Sequence, residues 1–371
     1  MKYYIIAGEA SGDLHAANLI AELKKKDPKA EFRGWGGDLM RKQGLNLVKH
    51  YRHMAFMGFV EVAVNLRKIL GNIQACKKDL LQYQPDVLIL VDYPGFNLRI
   101  AEFAHQHRMK VCYYISPQIW AWKRHRVIKI KKYVDKMLVI LPFEEHFYKD
   151  FGVDATFVGH PLLDELSKLD MTPRINFVHR NNLSEKREII ALLPGSRKQE
   201  VERMLGTMLK VIPHFPDYQF VIAGAPSLDK KLYLRWIENT DVHLIENQTY
   251  ELLQNASAAL VTSGTATLET ALLSVPEVVC YKTSGLSYWI AKHLVKVKYI
   301  SLVNLIMERE VVKELIQSDF TEENLVAELE NVLKSAKRQR QLLEDLDTLR
   351  DRLGNEGASA KAAEQIIRMV K

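Results

Sequence analysis

Ser263-Gly264-Thr265-Ala266-Thr267-Leu268-Glu269 joins a short apolar run at residues 258–262 to an amphipathic run at 268–273. The first run reads as a buried parallel strand and the second as a helix. A strand that feeds a helix through Ser-Gly-Thr sets unpaired amides and hydroxyls at a helix N-terminus, which is a site for an anion. Gly264 lets the backbone approach a phosphate closely. Glu269 lies one turn further in, where its carboxylate accepts hydrogen bonds from a ribose diol. Phosphate first and sugar acceptor next suggests a nucleotide. The same residues also suit a plain capped helix with Glu269 on a solvated face, so the rest of the chain has to discriminate.

Working back from that segment, strand–turn–helix units recur. Residues 188–193 read as a strand, Pro194-Gly195-Ser196-Arg197 as a turn, and residue 199 onward as a helix. Arg197 sits where a cation bridges a diphosphate. Further strands are expected at 218–224, 242–245 and 278–282. Ser301 to Asn304 should precede a charged helix that contains Gln317. Residues 165–187 are polar and aperiodic and mark a domain boundary.

The first half follows the same pattern. Residues 2–7 read as a strand, Gly8-Glu9-Ala10-Ser11-Gly12-Asp13 as a ligand loop at its carboxyl end, and residues 14–25 as a helix. Ser11 and Asp13 also suit helix caps. Residues 86–91 form a clear buried strand that ends at Asp92, followed by Tyr93-Pro94-Gly95 and a helix from Leu98. Open parallel sheets bind ligands outside the carboxyl ends of their strands. Asp92 is therefore a candidate general base, or else it caps the turn. Residues 54–70 are rich in Met, Phe and Val, which suits a core helix or an acyl-chain groove. Trp120 and Trp122 beside Lys123, Arg124 and Arg126 suit an anionic lipid surface.

The chain has 371 residues, 47% of them hydrophobic and 26% charged. That is the composition of a globular protein, and at ~150 residues per domain it suggests two domains. No apolar run approaches the ~18 residues of a membrane span. The strand at 2–7, with Glu9 and Asp13 close behind, does not read as a signal peptide. Cys76, Cys112 and Cys280 are far apart in apolar surroundings and read as reduced core residues. The net charge of +7 favours acidic partners. His50-x-x-His53 has no third ligand nearby, so no metal or cofactor is expected.

These motifs resemble, in order along nearly the whole chain, those of lipid-A-disaccharide synthases. The match runs through Gly8–Asp13, Trp35-Gly36-Gly37, Met57-Gly58-Phe59, Asp92 with Phe96-Asn97, Ser116-Pro117, Trp120-Ala121-Trp122 and Leu141–Glu144. It continues through Gly159–Leu162, Leu193–Arg197, Ser263–Glu269 and Asn304 through Gln317. The resemblance implies an α/β GT-B fold: two doubly wound, Rossmann-like domains facing a cleft. Residues 1–165 would bind the acceptor and its lipid, 186–344 the UDP-sugar, and 345–371 would pack back on the first domain. The implied reaction is an inverting transfer from UDP-2,3-diacylglucosamine to 2,3-diacylglucosamine 1-phosphate, giving the β-1,6 lipid A disaccharide and UDP. By the same resemblance Asp92 and Arg197 are catalytic, and Ser11, Gly12, Arg197, Ser263, Gly264, Thr265, Ala266, Thr267, Glu269 and Asn304 bind the UDP-sugar. Arg197 and the helix N-terminus would meet the diphosphate charge without a divalent ion. Two positions depart from the family pattern. Gly95 stands where a second acid is common, leaving Asp92 as the sole nearby carboxylate, and Val303 stands where Pro is usual. The expected partners are the UDP-sugar donor, the acylated sugar phosphate and an anionic membrane. The expected location is cytoplasmic, peripheral on the inner face of the inner membrane. Self-association is left open. Another UDP-sugar enzyme of this fold, such as a 2-epimerase, would not need the lipid-facing segment. A nucleic-acid module built on the 123–132 basic run would leave Arg197 and Glu269 unexplained.

Overall fold

The computed structural model describes residues 1–54, 66–122, 124–285, 288 and 297–371; the side chains of Leu66, Trp122 and Arg124 are outside the description. Most of the Met/Phe-rich segment, the Met57-Gly58-Phe59 motif, Lys123 and the side chains of Trp122 and Arg124 therefore lie outside the described residues. The chain divides into two compact units, residues 1–167 with 353–371, and residues 168–352.

The first unit is built on a seven-stranded sheet: β1 Lys2–Ala7, β2 Glu31–Gly36, β3 Asn46–His50, β4 Val87–Val91, β5 Lys110–Tyr114, β6 Lys136–Val139 and β7 Ala155–Phe157. All pairings are parallel, in the order β3-β2-β1-β4-β5-β6-β7. Residues alternate between the two faces, as a sheet buried on both sides requires. Tyr3, Ile5, Val87, Ile89, Cys112 and Tyr114 fill one layer, while Tyr4, Ile6, Leu88, Leu90, Val111 and Tyr113 fill the other. The helix Ala358–Val370 closes the first layer. Its Ala362, Ala363, Ile366 and Ile367 share a core with Ala16, Leu19 and Ile20 of the helix Ala10–Lys26. Asp164 caps its start, accepting from the amides of Gly357 at 2.6 Å, Ala358 at 3.2 Å and Ser359 at 3.0 Å.

The second unit carries a six-stranded parallel sheet: β8 Glu188–Leu193, β9 Tyr218–Gly224, β10 Val242–Glu246, β11 Ala256–Thr262, β12 Glu277–Tyr281 and β13 Lys313–Ile316. Their order is β10-β9-β8-β11-β12-β13. In each unit the strand order reverses once, between β1 and β4 and between β8 and β11. Helices on either side of such a reversal diverge and leave a crevice at the carboxyl ends.

Several boundaries differ from expectation. The first helix begins at Ala10, so Ser11, Gly12 and Asp13 are already helical. The helix after Asp92 begins at Pro94, whose fixed φ suits the first turn. Gln317 follows the edge strand β13 and is not on a helix. The edge strands β3 and β13 were unforeseen, because Lys49 and His50 in one and Lys313 and Glu314 in the other hide the alternation that marks a half-buried strand. All three cysteines are buried and unpaired.

Candidate active site

In the first unit, Ala7 of β1 pairs with Val91 of β4, so the two strands leave the sheet side by side. Glu9 follows one and Asp92 the other. Asp92 and Tyr93 are both left-handed, with φ of 43° and 49°. Two consecutive non-glycine residues in this region are costly and persist only where the surroundings over-determine them. Here they do. Asp92 donates its amide to Tyr114 O at 3.2 Å. Its carbonyl accepts from Asn97 Nδ2 at 2.7 Å and Tyr113 Oη at 2.6 Å. Asn97 Nδ2 also reaches Val91 O at 3.2 Å. Tyr93 lays its ring across Gly8, where any Cβ would overlap it, stacks on Phe96, and donates to Met54 O at 2.9 Å. The main chain is thus bracketed from the neighbouring strand β5 and a helix, and the Asp92 carboxyl is held at the strand end.

Burial pushes the Asp92 carboxyl up to about 6, the like charge of Glu9 pushes in the same direction, and the Tyr93 amide opposes both. A carboxylate with a pKa near neutrality is a stronger base than a solvated one and still largely ionised at pH 7. Glu9 corrects the expectation that Asp92 stands alone. Asp13 is also reassigned: it is buried and caps another helix, accepting from the amides of Gly37 at 2.7 Å, Leu39 at 3.1 Å and Met40 at 3.1 Å. Ser11 is exposed in the first helical turn, and Gly12 is buried against Ala7.

In the second unit, Leu193 of β8 pairs with Val261 of β11. The turns Pro194–Arg197 and Ser263–Gly264 therefore leave neighbouring strands together. Gly195 has φ of 116°, and a Cβ there would overlap Glu200. Glu200 folds back under the turn, accepting from the Ser196 amide at 3.1 Å and the Arg197 amide at 3.2 Å; its other oxygen meets Arg197 Nη1 at 3.0 Å. This is a capping arrangement with its acid three residues into the helix. The Arg197 side chain is otherwise exposed.

The helix Thr265–Leu272 starts at an extended Gly264. Gly264 and Thr265 are exposed, and the amides of Thr265 and Ala266 have no carbonyl partner within the helix. The hydroxyls are distributed differently from the sequence reading. Ser263 Oγ donates to Ile300 O at 3.0 Å, and Thr267 Oγ1 turns back to Gly264 O at 2.9 Å in a buried position. Only the Thr265 hydroxyl lies on the exposed turn. Glu269 accepts from Tyr250 Oη at 3.2 Å, and burial raises its pKa. One oxygen of this carboxylate is thereby fixed.

Asn304 does not join this group. It is fully buried, its Oδ1 accepts from Val311 N at 2.7 Å and Val312 N at 3.0 Å, and its Nδ2 donates to Val312 O and Glu314 Oε1, each at 2.8 Å. With every side-chain amide position engaged, it brackets the start of β13. Gln317 similarly clips the chain after β12, accepting from Thr283 N at 2.9 Å. Trp120 also departs from expectation. Its indole is 6% exposed, packs edge-on against Phe143 and donates to Glu144 Oε1 at 3.1 Å, so it faces the core and not a lipid surface. Among the described residues no cluster of metal-ligating side chains occurs and no helix is long and apolar enough to cross a membrane.

Each unit thus places polar groups at the carboxyl ends of its strands, at its switch point. The fold is that of GT-B enzymes. The chain is similar to a UDP-GlcNAc 2-epimerase from Neisseria meningitidis bound to UDP-GlcNAc, with a TM-score of 0.71 and 14% identity, covering 99% of this chain and 100% of that one. It is similar to the glycotransferase of kitacinnamycin, with a TM-score of 0.67 and 14% identity over 100% and 99% of the two chains. At these identities the likeness speaks for the fold alone. The sequence comparison discriminates further. The chain is 43% identical over 374 aligned positions to the lipid-A-disaccharide synthase of Syntrophus aciditrophicus (strain SB), covering 99% of this chain and 97% of that protein. The family model for lipid-A-disaccharide synthetase matches residues 3–370, so it spans both switch points and the returning C-terminal helix, and the chain belongs to that family.

Proposed function

We propose that this chain is the glycosyltransferase that joins UDP-2,3-diacylglucosamine to 2,3-diacylglucosamine 1-phosphate, releasing UDP and the β-1,6-linked lipid A disaccharide. The observation that carries the reading is the match to this family over residues 3–370. The local geometry supports a division of labour. Asp92 takes the proton from the acceptor's 6-hydroxyl. The freed oxygen attacks the anomeric carbon on the face opposite the leaving group, the glycosidic bond to the diphosphate breaks, and UDP departs with that electron pair. General-base assistance of this kind supplies ~10²–10⁴-fold. The departing diphosphate carries the developing charge, and prepositioned donors are usually the larger contribution. Arg197 and the amides of Thr265 and Ala266 supply them, and Glu269 takes the ribose hydroxyls. Acylated substrates require work at a membrane surface. The helix Val127–Tyr133 exposes Ile128, Lys129, Lys131 and Lys132 and suits a peripheral contact with anionic lipid on the cytoplasmic side of the inner membrane.

UDP stabilisation of the folded chain tests the donor half. A ligand that binds only the native state stabilises by ~2.7 kcal/mol at a hundredfold excess over Kd. UDP should raise the melting temperature. Arg197→Ala should weaken binding, and Glu269→Ala should erase discrimination between UDP and 2′,3′-dideoxy-UDP. Unchanged titrations for both variants would remove these residues from the site. The likeness to 2-epimerases supplies the competing outcome: conversion of water-soluble UDP-GlcNAc without an acylated acceptor would favour that activity.

A further inference from the structure

Arg126 behaves unlike the rest of the cationic run. His125, Lys129, Lys131 and Lys132 are exposed, and Lys129 meets Glu102 at 3.1 Å. Arg126 is half-buried at the end of the turn Arg124–Arg126, directly before the helix Val127–Tyr133. Val127 and Ile130 anchor that helix in the layer that also holds Phe96 and Tyr113. The helix packs on Pro94–Gln106, the helix that carries Asn97. This draws Arg126 toward the layer that holds Tyr113. Its guanidinium has lost water, which lowers its pKa, and the ionisable group that acts on it is the Tyr113 phenol. That phenol is the one that donates to Asp92 O at 2.6 Å. Among the described residues no carboxylate pairs with Arg126. A partly desolvated guanidinium without a counter-ion is costly. The cost is offset when a ligand brings the anion, and a planar fork of donors fits a phosphate in particular.

The proposed reaction involves two phosphate groups: the donor's diphosphate, already provided for by Arg197 and the helix Thr265–Leu272, and the acceptor's monoester. We infer that Arg126 binds the 1-phosphate of the sugar acceptor and so selects phosphorylated acceptors beside Asp92. The inference rests on the glycosyl transfer proposed above.

The test uses the full chain at saturating UDP-2,3-diacylglucosamine with two acceptors, 2,3-diacylglucosamine 1-phosphate and its dephosphorylated form. Arg126→Ala should raise KM for the phosphorylated acceptor by about tenfold to a hundredfold, the range for a hydrogen bond to a charged group, and leave the dephosphorylated one nearly unaffected. Arg126→Lys keeps the charge without the fork and should fall between, which also guards against misfolding of the alanine variant. The UDP-induced melting shift of both variants should match the parent. An equal loss on both acceptors, or none on either, overturns the assignment. Co-sedimentation with vesicles of anionic phospholipid separates the other source of phosphate. Arg126→Ala should sediment like the parent, and a parallel loss of vesicle binding would assign the arginine to lipid headgroups and overturn the inference. Failure of the parent to form a disaccharide from either acceptor would overturn the underlying reaction instead.

Discussion

Asp92 is defined by what surrounds it. Its left-handed backbone, bracketed by Tyr113, Asn97 and Tyr114, fixes where the carboxyl sits, while burial and Glu9 set its proton affinity. The isosteric Asp92→Asn change keeps the shape and removes the base. It should lower kcat by ~10²-fold or more and leave UDP affinity intact, the pattern of an interaction made in the transition state. The pH profile carries a second expectation. Catalysis needs the carboxylate, so kcat/KM should rise with pH through about 6 and level off above it. Glu9 opposes ionisation, so Glu9→Gln should move that inflexion to lower pH. An inflexion that stays in place would show that burial alone sets the value. Asp92 was legible in the sequence because it ends a run of five apolar residues. Glu9 as its neighbour was not, because 83 residues separate them and only the β1–β4 pairing brings them together.

At the scale of elements, Asn304 shows how a motif residue can serve the frame instead of the ligand. Its amide joins the helix Leu302–Met307 to the start of β13, and Glu314 extends the network to Ser301, whose amide and hydroxyl it accepts at 2.9 and 2.8 Å. The Ile300 amide meets the other Glu314 oxygen at 2.9 Å, and Ser263 Oγ meets the Ile300 carbonyl, so the network ends at the proposed diphosphate turn. Asn304→Ala would leave two buried amides unsatisfied, at ~1–3 kcal/mol each. Melting should drop by about 5 °C or more on the scale of a domain this size. UDP affinity measured well below that temperature should stay close to the parent's. Weakened UDP binding with unchanged melting would return Asn304 to the ligand set. A single sequence shows that an Asn follows Ser301 by three residues. It does not show that the strand it brackets is β13, because the charged edge strand was itself hidden by its Lys-Glu pair.

Across the whole first unit, two buried histidines titrate close to Asp164, the residue that caps the returning C-terminal helix. His15 and His160 are both held in the neutral form, mainly by burial, with pKa values lowered to about 4 and about 3. Asp164, which caps the helix Ala358–Val370, lies close enough to oppose that shift in both. In the unfolded chain each imidazole titrates near 6.5. The unfolded state therefore binds more protons as pH falls, and the stability these residues contribute is full above pH 6.5 and lost as pH drops through 4 to 3. Denaturant midpoints should fall between pH 7 and pH 4, and His160→Gln should flatten that dependence. Parallel slopes for parent and variant would show that other groups govern the acid limb.

Local pattern determined a good deal. Apolar runs of strand length alternating with amphipathic runs specify parallel sheets covered by helices, because a strand buried on both faces has no polar positions to spare. Turns rich in Gly, Ser and charge after those runs mark carboxyl ends, and so Asp92, Arg197 and Ser263–Glu269 could be named from neighbours a few residues away. Tertiary structure alone decided which of those groups meet. It placed Glu9 beside Asp92 and Tyr250 on Glu269, turned Trp120 inward to Glu144, and closed Asn304 around β13. The physical reason is that proton affinity, desolvation and hydrogen-bond satisfaction depend on atoms within a few ångströms, and most of those atoms are brought there by strand order and helix packing from distant parts of the chain.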